Sequence, residues 1–280
     1  EKVRNGVEDA RLSRKLVTLV GDVDFSLSWD EMELSPPDQE ALNAFYKSLD
    51  FNRFVKDGGS SEATSAPKSQ VNAEFELVND LKRLEDIVKD IYQKGVKVLA
   101  FDTETTSIDS HQAELVGLSF CYDTKQAYYI PISHKEGVNI ALSDVQKALG
   151  PLFADDKISK IAQNAKYDLN ILNRHGIEVS PVLGDTLVAD YLCDPSAQHN
   201  LNSLSQRFLN HDPIKFGDLV KKGQTFADVS LEQAAQYAAE DAWIVFSIYA
   251  DLQKELKECQ VEKIYNEVEI PLIPVLAKME

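Results

Sequence analysis

Cysteine is scarce in this 280-residue chain: Cys121, Cys193 and Cys259 are odd in number, far apart and without a CxxC pair. That argues against a disulfide framework and a thiolate zinc site, and for a reducing, cytoplasmic setting. Long hydrophobic runs are also missing, since none approaches the roughly 20 apolar residues that span a bilayer, and no membrane partner is expected. The chain has neither an initiator Met nor a charged-then-apolar leader, as expected of a fragment of a longer protein. Basic residues are in deficit too. Lys and Arg number 29 against 46 Asp and Glu, a net charge of −17, whereas a nucleic-acid binder ordinarily shows a basic footprint. Two readings meet that balance: an acidic protein with no polyanionic partner, or an enzyme whose acids hold cations and whose grip on nucleic acid is local. Apolar residues are plentiful by contrast, at 44% with 12 Phe and 10 Tyr, enough for the core of one large domain with appended pieces.

Residues 1–55 pattern as a small helical unit. "DARLSRKLVTLV" spaces Leu and Val as a helix does, "VDFSLSW" alternates like a short strand, and "SPPDQEALNAFYKSL" predicts a capped helix with Pro in its first turn. Positions 56–73, "KDGGSSEATSAPKSQVNA", have almost no large apolar residue and read as a flexible linker. Beyond them, "LVNDLKRLEDIVKDIYQKG" predicts an amphipathic helix ending at Gly95. Strands are expected over 96–104, 114–123 and 127–132, the last two as an antiparallel hairpin. A helix at "LSDVQKALGPLFAD", a strand at "KISKIAQN" and a helix at "AKYDLNILNRHG", stopped by Gly176, come next. Helices over 185–193, 201–209 and about 231–261 complete the pattern. That order predicts an α/β fold with a mixed β-sheet flanked by helices.

The apolar "VKVLA" runs directly into "FDTETTSID", which places Asp102 and Glu104 two residues apart and so on one face of a strand. Asp168 follows Asn164 by four residues in "QNAKYDLNIL", predicting one shared helical face. Asp241 follows Tyr237 by four in "QYAAEDAW", where Ala234, Ala235, Ala238 and Ala239 let a helix approach a sheet closely. Any one of these pairs is commonplace as a solvated strand end or a surface helix pair. Together, four carboxylates without a Cys or His set suit hard cations such as Mg²⁺ or Mn²⁺. Two such ions can activate water and stabilise the leaving oxygen of a phosphodiester, with Tyr237 near the attacking water.

"DTET", "NAKYD" and "YAAED" resemble the three exonuclease motifs of DnaQ-like 3′–5′ exonucleases, and the segment from about 74 to 261 is similar to the proofreading domain of the bacterial DNA polymerase I family. "DTLVADYL", "EIPLIPVLAKME" and the surroundings of "SRKLVTL" strengthen the resemblance. It implies a ribonuclease H-like fold and four segments: 1–55 as the tail of a 5′ nuclease-like domain, 56–73 as linker, 74–261 as exonuclease, and 262–280 as the start of a polymerase-domain helix. It implies two Mg²⁺ or Mn²⁺ ions, with Asp102 bridging both, Glu104 and Asp241 on the one that holds the nucleophilic water, Asp168 serving the other, and Tyr237 positioning the nucleophile. Gln163, Asn164 and Tyr167 would contact the terminal nucleotides, with Ile108 and Phe216 packing on unstacked bases; Phe216 reads equally well as a core residue. The implied partners are a single-stranded or frayed DNA 3′ end and a polymerase domain in cis, in the bacterial nucleoid. Two other readings share the acidic set: an RNA-trimming exonuclease of the ribonuclease D type, and a non-catalytic module supporting a polymerase. Paired carboxylates also occur in glycosidases, but there they flank a sugar and do not adjoin on one strand face.

Overall fold

The computed structural model describes residues 6–22, 37–49 and 73–280, in two compact units, Glu1–Glu62 and Ala63–Glu280. In the first, helix α1 spans Val7–Val17 and helix α2 spans Gln39–Ser48. The expected proline does not enter the first turn of α2. Pro37 precedes Asp38, whose carboxylate accepts the N–H groups of Glu40 and Ala41 and so caps the helix. The strand expected at "VDFSLSW" and all but Ala73 of the expected linker lie outside the described residues.

The second unit is built on a six-stranded mixed sheet: β1 (Glu74–Leu77), β2 (Val98–Thr105), β3 (Leu115–Cys121), β4 (Gln126–Pro131), β5 (Ser159–Ala162) and β6 (Val182–Asp185), in spatial order β1-β4-β3-β2-β5-β6. β2, β3 and β4 pair antiparallel, while β1 joins β4, β5 joins β2 and β6 joins β5 in parallel. β3 is buried along its whole length, as a strand covered on both faces must be. The expected hairpin is present. The two four-residue edge strands were absent from the expectations, because acids break the apolar pattern of "EFEL" and a glycine and an acid that of "VLGD", whereas β5, equally short, is marked by the spaced isoleucines of "KISKIAQN".

Between β1 and β2 runs α3 (Leu81–Lys94), capped by Asp80 and closed by Gly95 in the left-handed conformation, the stop that the sequence predicts. α3 packs on α4 (Leu142–Phe153). Phe101 meets Phe153 of α4 edge to face, with centroids 5.4 Å apart, so the odd-numbered residues of β2 look toward α4. Asp102 and Glu104 therefore point to the opposite face. Helices α5 (Ala165–Arg174), α6 (Thr186–Cys193), α7 (Leu201–Leu209) and the single turn α8 (Phe216–Leu219) lead to α9 (Leu231–Glu258), which crosses β1 to β5. Ala234, Ala235, Ala238 and Ala239 are all buried and give α9 the close approach that their small size allows.

The chain ends in α10 (Glu262–Ile264), a π-helical turn at Tyr265–Glu269 and α11 (Ile270–Met279). Tyr265, Ile270, Ile273 and Ala277 join the same core as the sheet, and α11 packs on α5. At the β6 side of the sheet, Lys160 is fully buried, its ammonium donating to Asp155 O at 2.9 Å and Ser180 O at 2.6 Å. Burial draws its pKa down to about 8.

Candidate active site

Three elements deliver the acids. β2 projects Asp102 and Glu104 side by side, and α9 brings Asp241 over them, so that carboxylate oxygens of the three lie within 4.8 Å of one another. Among the described residues this is the only such convergence of three or more acid, His or Cys ligand atoms. Asp168, in the first turn of α5, reaches the same region in a different way. Its Oδ1 accepts the Thr103 N–H at 3.1 Å and the Thr103 hydroxyl, and it is buried.

One expectation about this helix fails. Asn164 and Asp168 do not share a helical face, because Asn164 precedes α5 as its N-cap with a left-handed backbone, φ 59°. A spacing of four residues gives a common face only when both lie inside the helix. Tyr237 and Asp241 do lie inside α9, as expected.

The electrostatics are unfavourable as they stand. Burial pushes the Asp102 carboxyl up to about 7, against one opposing hydrogen bond from the Thr103 N–H. Glu104 is pushed well above the carboxylate range by burial, then by Asp102, Asp241 and Asp168. Asp241 is raised by burial, then by Asp102 and Glu240, with the Tyr237 hydroxyl opposing. Asp168 is raised by burial and by Asp102, with the two Thr103 hydrogen bonds opposing. No lysine or arginine offsets any of them among these causes. Glu104 and Asp168 are buried and Asp102 and Asp241 half-buried, and like charges gathered this closely with little water demand protons or cations. Oxygen-only donors at this spacing match hard divalent ions, so the residues present fit the metal that their pattern implies. The phenol of Tyr237 is raised by burial and by Asp241, Glu104 and Asp102, and therefore stays a hydrogen-bond donor.

Beside the acids opens a cleft of about 490 Å³, lined among others by Glu104, Ile108, Asn164, Tyr167, Phe216 and Phe226. Ile108 stands 97% exposed at its rim, and Phe216 is 48% exposed, so it is not a core residue. Phe216 stacks on buried Phe226 at 6.3 Å, and Phe226 packs on Tyr237 at 5.8 Å. Phe226 is inserted by a short 3-10 turn that Thr225 and Asp228 cap reciprocally. Glu240, next to Asp241, accepts the Ile214 N–H at 2.7 Å and lies 2.8 Å from His211 Nε2, anchoring the segment that leads into Phe216. The Tyr167 hydroxyl donates to Ser107 O and meets Thr105 Oγ1, tying α5 to the loop that carries Ile108. Gln163 lies apart from this lining. Its amide donates to His199 O at 2.8 Å and accepts the Thr186 hydroxyl. His199 in turn places Nδ1 2.6 Å from Asp190, which Arg207 also contacts.

Sequence reading missed Thr103, Phe226 and Asp185. Thr103 has no separate signal between two acids, and Phe226 looks like any core phenylalanine. Asp185 does have one: an Asp before an apolar helical run is an N-cap pattern, and here the helix expected over 185–193 begins at Thr186 with Asp185 as its cap.

The sequence pattern of a family described as 3′–5′ exonuclease matches residues 75–257. The chain is 34% identical to DNA polymerase I of Pseudomonas aeruginosa, an alignment covering 100% of this chain and 32% of that protein. With DNA polymerase I of Borreliella burgdorferi the identity is 34%, covering 75% and 23%. This chain thus spans a third or less of the length of these relatives. Among solved structures, the Escherichia coli RNase D superposes with a TM-score of 0.56 at 16% identity over 73% of this chain and 51% of that one. Brucella melitensis NrnC bound to pGG gives 0.54 at 22% identity over 66% and 84%. These two likenesses establish the ribonuclease H-like fold. The matched stretch takes in the sheet, all three acid-bearing elements and the cleft, and the chain belongs to the 3′–5′ exonuclease family of DNA polymerase I.

Proposed function

We propose that this chain removes nucleotides from the 3′ ends of single-stranded or frayed DNA by metal-dependent phosphodiester hydrolysis, in cis with a polymerase region. The observation that carries the reading is the convergence of Asp102, Glu104 and Asp241 beside a cleft walled by aromatic and apolar side chains. Asp102, Glu104 and Asp241 would hold one Mg²⁺ or Mn²⁺, and Asp102 with Asp168 a second. Bound there, such ions supply Lewis-acid polarisation of the phosphate and a lowered pKa for water.

The chain's own residues do the rest. Tyr237 keeps its proton and orients the attacking water by hydrogen bonding. Phe216 and Ile108 offer apolar faces to unstacked bases, a contact that tolerates any sequence and favours unpaired ends. Asn164 and Tyr167 line the floor where the terminal nucleotide would sit, and Gln163 acts behind them. With a net charge of −17, the grip on nucleic acid rests on local contacts at this cleft. The DNA relatives favour DNA over RNA as substrate. Residues 74–261 form the catalytic part in this reading, with 1–55 and 262–280 belonging to neighbouring 5′ nuclease-like and polymerase regions across a 56–73 linker, in a cytoplasmic, nucleoid-associated protein.

The test is incubation with 5′-labelled single-stranded DNA, with Mg²⁺, with Mn²⁺ and with chelator, beside an RNA of the same sequence. Metal-dependent laddering of the DNA from its 3′ end is expected. Shortening of the RNA alone would replace the reading with ribonuclease chemistry, and no shortening of either would leave a binding module.

A further inference from the structure

Another buried carboxylate lies close to the cleft and takes no part in the chemistry above. Asp185 ends β6 with its side chain buried. Oδ1 accepts the N–H of Asn164 at 3.1 Å and of Leu187 at 2.9 Å, and Oδ2 accepts the N–H of Ala165 at 2.7 Å. One side chain thus caps both α5 and α6. Asn164 has a left-handed backbone, which asparagine adopts more readily than other residues with a Cβ, and the Asp185 contact fixes it there.

Asp185 is itself held from the far side. Tyr265, fully buried on the π-helical turn, accepts the Asp185 N–H at 2.8 Å and donates its hydroxyl to Asp185 O at 3.2 Å. Single π-helical turns within helices occur frequently at functional positions. A continuous chain of contacts therefore runs from the C-terminal helical segment through Tyr265 and Asp185 to Asn164, a wall of the cleft. Asp168 lies one turn further along the same helix and has a second anchor of its own, through Thr103 to β2.

We propose that Asp185 and Tyr265 are positioning residues for the exonuclease reaction, holding the Asn164 corner in the shape that receives the terminal nucleotide. The proposal rests on the function proposed above. It places their effect on substrate binding and not on the chemical step, because Asp102, Glu104 and Asp241 are carried by β2 and α9, outside this chain of hydrogen bonds.

The test compares Asp185→Asn, Tyr265→Phe and Tyr249→Phe on single-stranded DNA with saturating Mn²⁺. Asp185→Asn keeps one acceptor oxygen and turns the other into a donor. Tyr265→Phe removes only the hydroxyl. Tyr249→Phe also loses a hydroxyl bonded to β6, to Leu183 O at 3.4 Å, from a ring beside Tyr265 whose hydroxyl bonds neither Asp185 nor Asn164, and serves as the control for loss of a neighbouring hydroxyl. Expected are a KM raised about tenfold in Asp185→Asn and about threefold in Tyr265→Phe, with kcat within about twofold, and an unchanged control. Faster amide hydrogen exchange at Asn164 and Ala165 should accompany the KM change. A purely structural role would lower kcat with the folded fraction and leave KM alone. That pattern, or a KM unmoved in both variants, overturns the proposal. If wild-type protein fails to shorten DNA, the functional reading falls by itself. Amide exchange at Asn164 and Ala165 then decides the positioning role, and unchanged exchange in Asp185→Asn overturns it.

Discussion

The buried carboxylate of Asp185 and the carboxylate cluster around Glu104 sit within one fold and are treated in opposite ways. Asp185 has backbone N–H groups on both oxygens and works as structural glue. The cluster of Asp102, Glu104 and Asp241 has almost nothing but like charge for company. A buried acid that is satisfied by fixed donors belongs to the scaffold. One left wanting, beside a cleft, is poised for something that arrives from outside. Asp168 stands between the two, half satisfied by Thr103.

The contrast can be broken at its strongest point first. Asp102→Ala is expected to lower 3′-end hydrolysis at least about 1,000-fold while the protein stays folded, since metal and charge stabilisation of several kcal/mol depends on it. Single-turnover kinetics with circular dichroism would check this, and near-normal hydrolysis by a folded Asp102→Ala protein would remove the cluster from the chemistry. Asp185→Ala should behave in the converse way. Losing the acceptor for two helix N-termini should cost about 2–4 kcal/mol in urea unfolding, at the rate of about 1–2 kcal/mol for each lost cap. A stability loss from Asp102→Ala as large as that from Asp185→Ala would erase the distinction between the two groups.

Divalent ions sharpen it next. Mn²⁺ or Mg²⁺ at 100 times its dissociation constant should stabilise the fold by about 2.7 kcal/mol, read as a rise in Tm. The rise should largely vanish in an Asp102→Ala, Glu104→Ala double variant; a full-sized shift there would place the ion elsewhere. The smallest effect is the pH trend without metal. The folded cluster binds protons more tightly than the unfolded chain, because Asp102 is raised to about 7 and its neighbours are raised as well. Its contribution to stability is therefore most favourable near pH 4 and is lost as pH rises through about 7. Metal-free Tm should fall over that range relative to an Asp102→Asn, Glu104→Gln variant. Parallel curves for the two proteins would show that the cluster titrates normally.

Much of this was written legibly in the chain, for physical reasons that differ from place to place. The two-residue spacing in "DTET" and the four-residue spacing of Tyr237 and Asp241 translate directly into shared faces, because each pair lies inside one regular element. Asn164 and Asp168 carry the same spacing and do not share a face, since the helix starts between them. β1 and β6 were illegible because acids and a glycine interrupt their short runs, so that pairing with a neighbour and not their own pattern fixes them as strands. The cleft wall was readable only in part. Ile108 and Phe216, singled out by the family resemblance, line the cleft, but Phe226 and the Gln163–His199 contact arise from segments brought together by the fold.

Lys160 gives the β5–β6 edge a chemical handle on its own motions. With its pKa drawn to about 8, a large share of its amine is free of its proton in mildly alkaline solution. An unprotonated lysine is a strong nucleophile, yet here it is sealed from reagents by the same burial that lowers its pKa. Acylation can then proceed only from molecules in which this edge has momentarily come open. The rate at which an amine-reactive ester labels Lys160 becomes a clock for that opening, and it reads the local free energy of the edge on which Asp185 and the Asn164 corner are mounted.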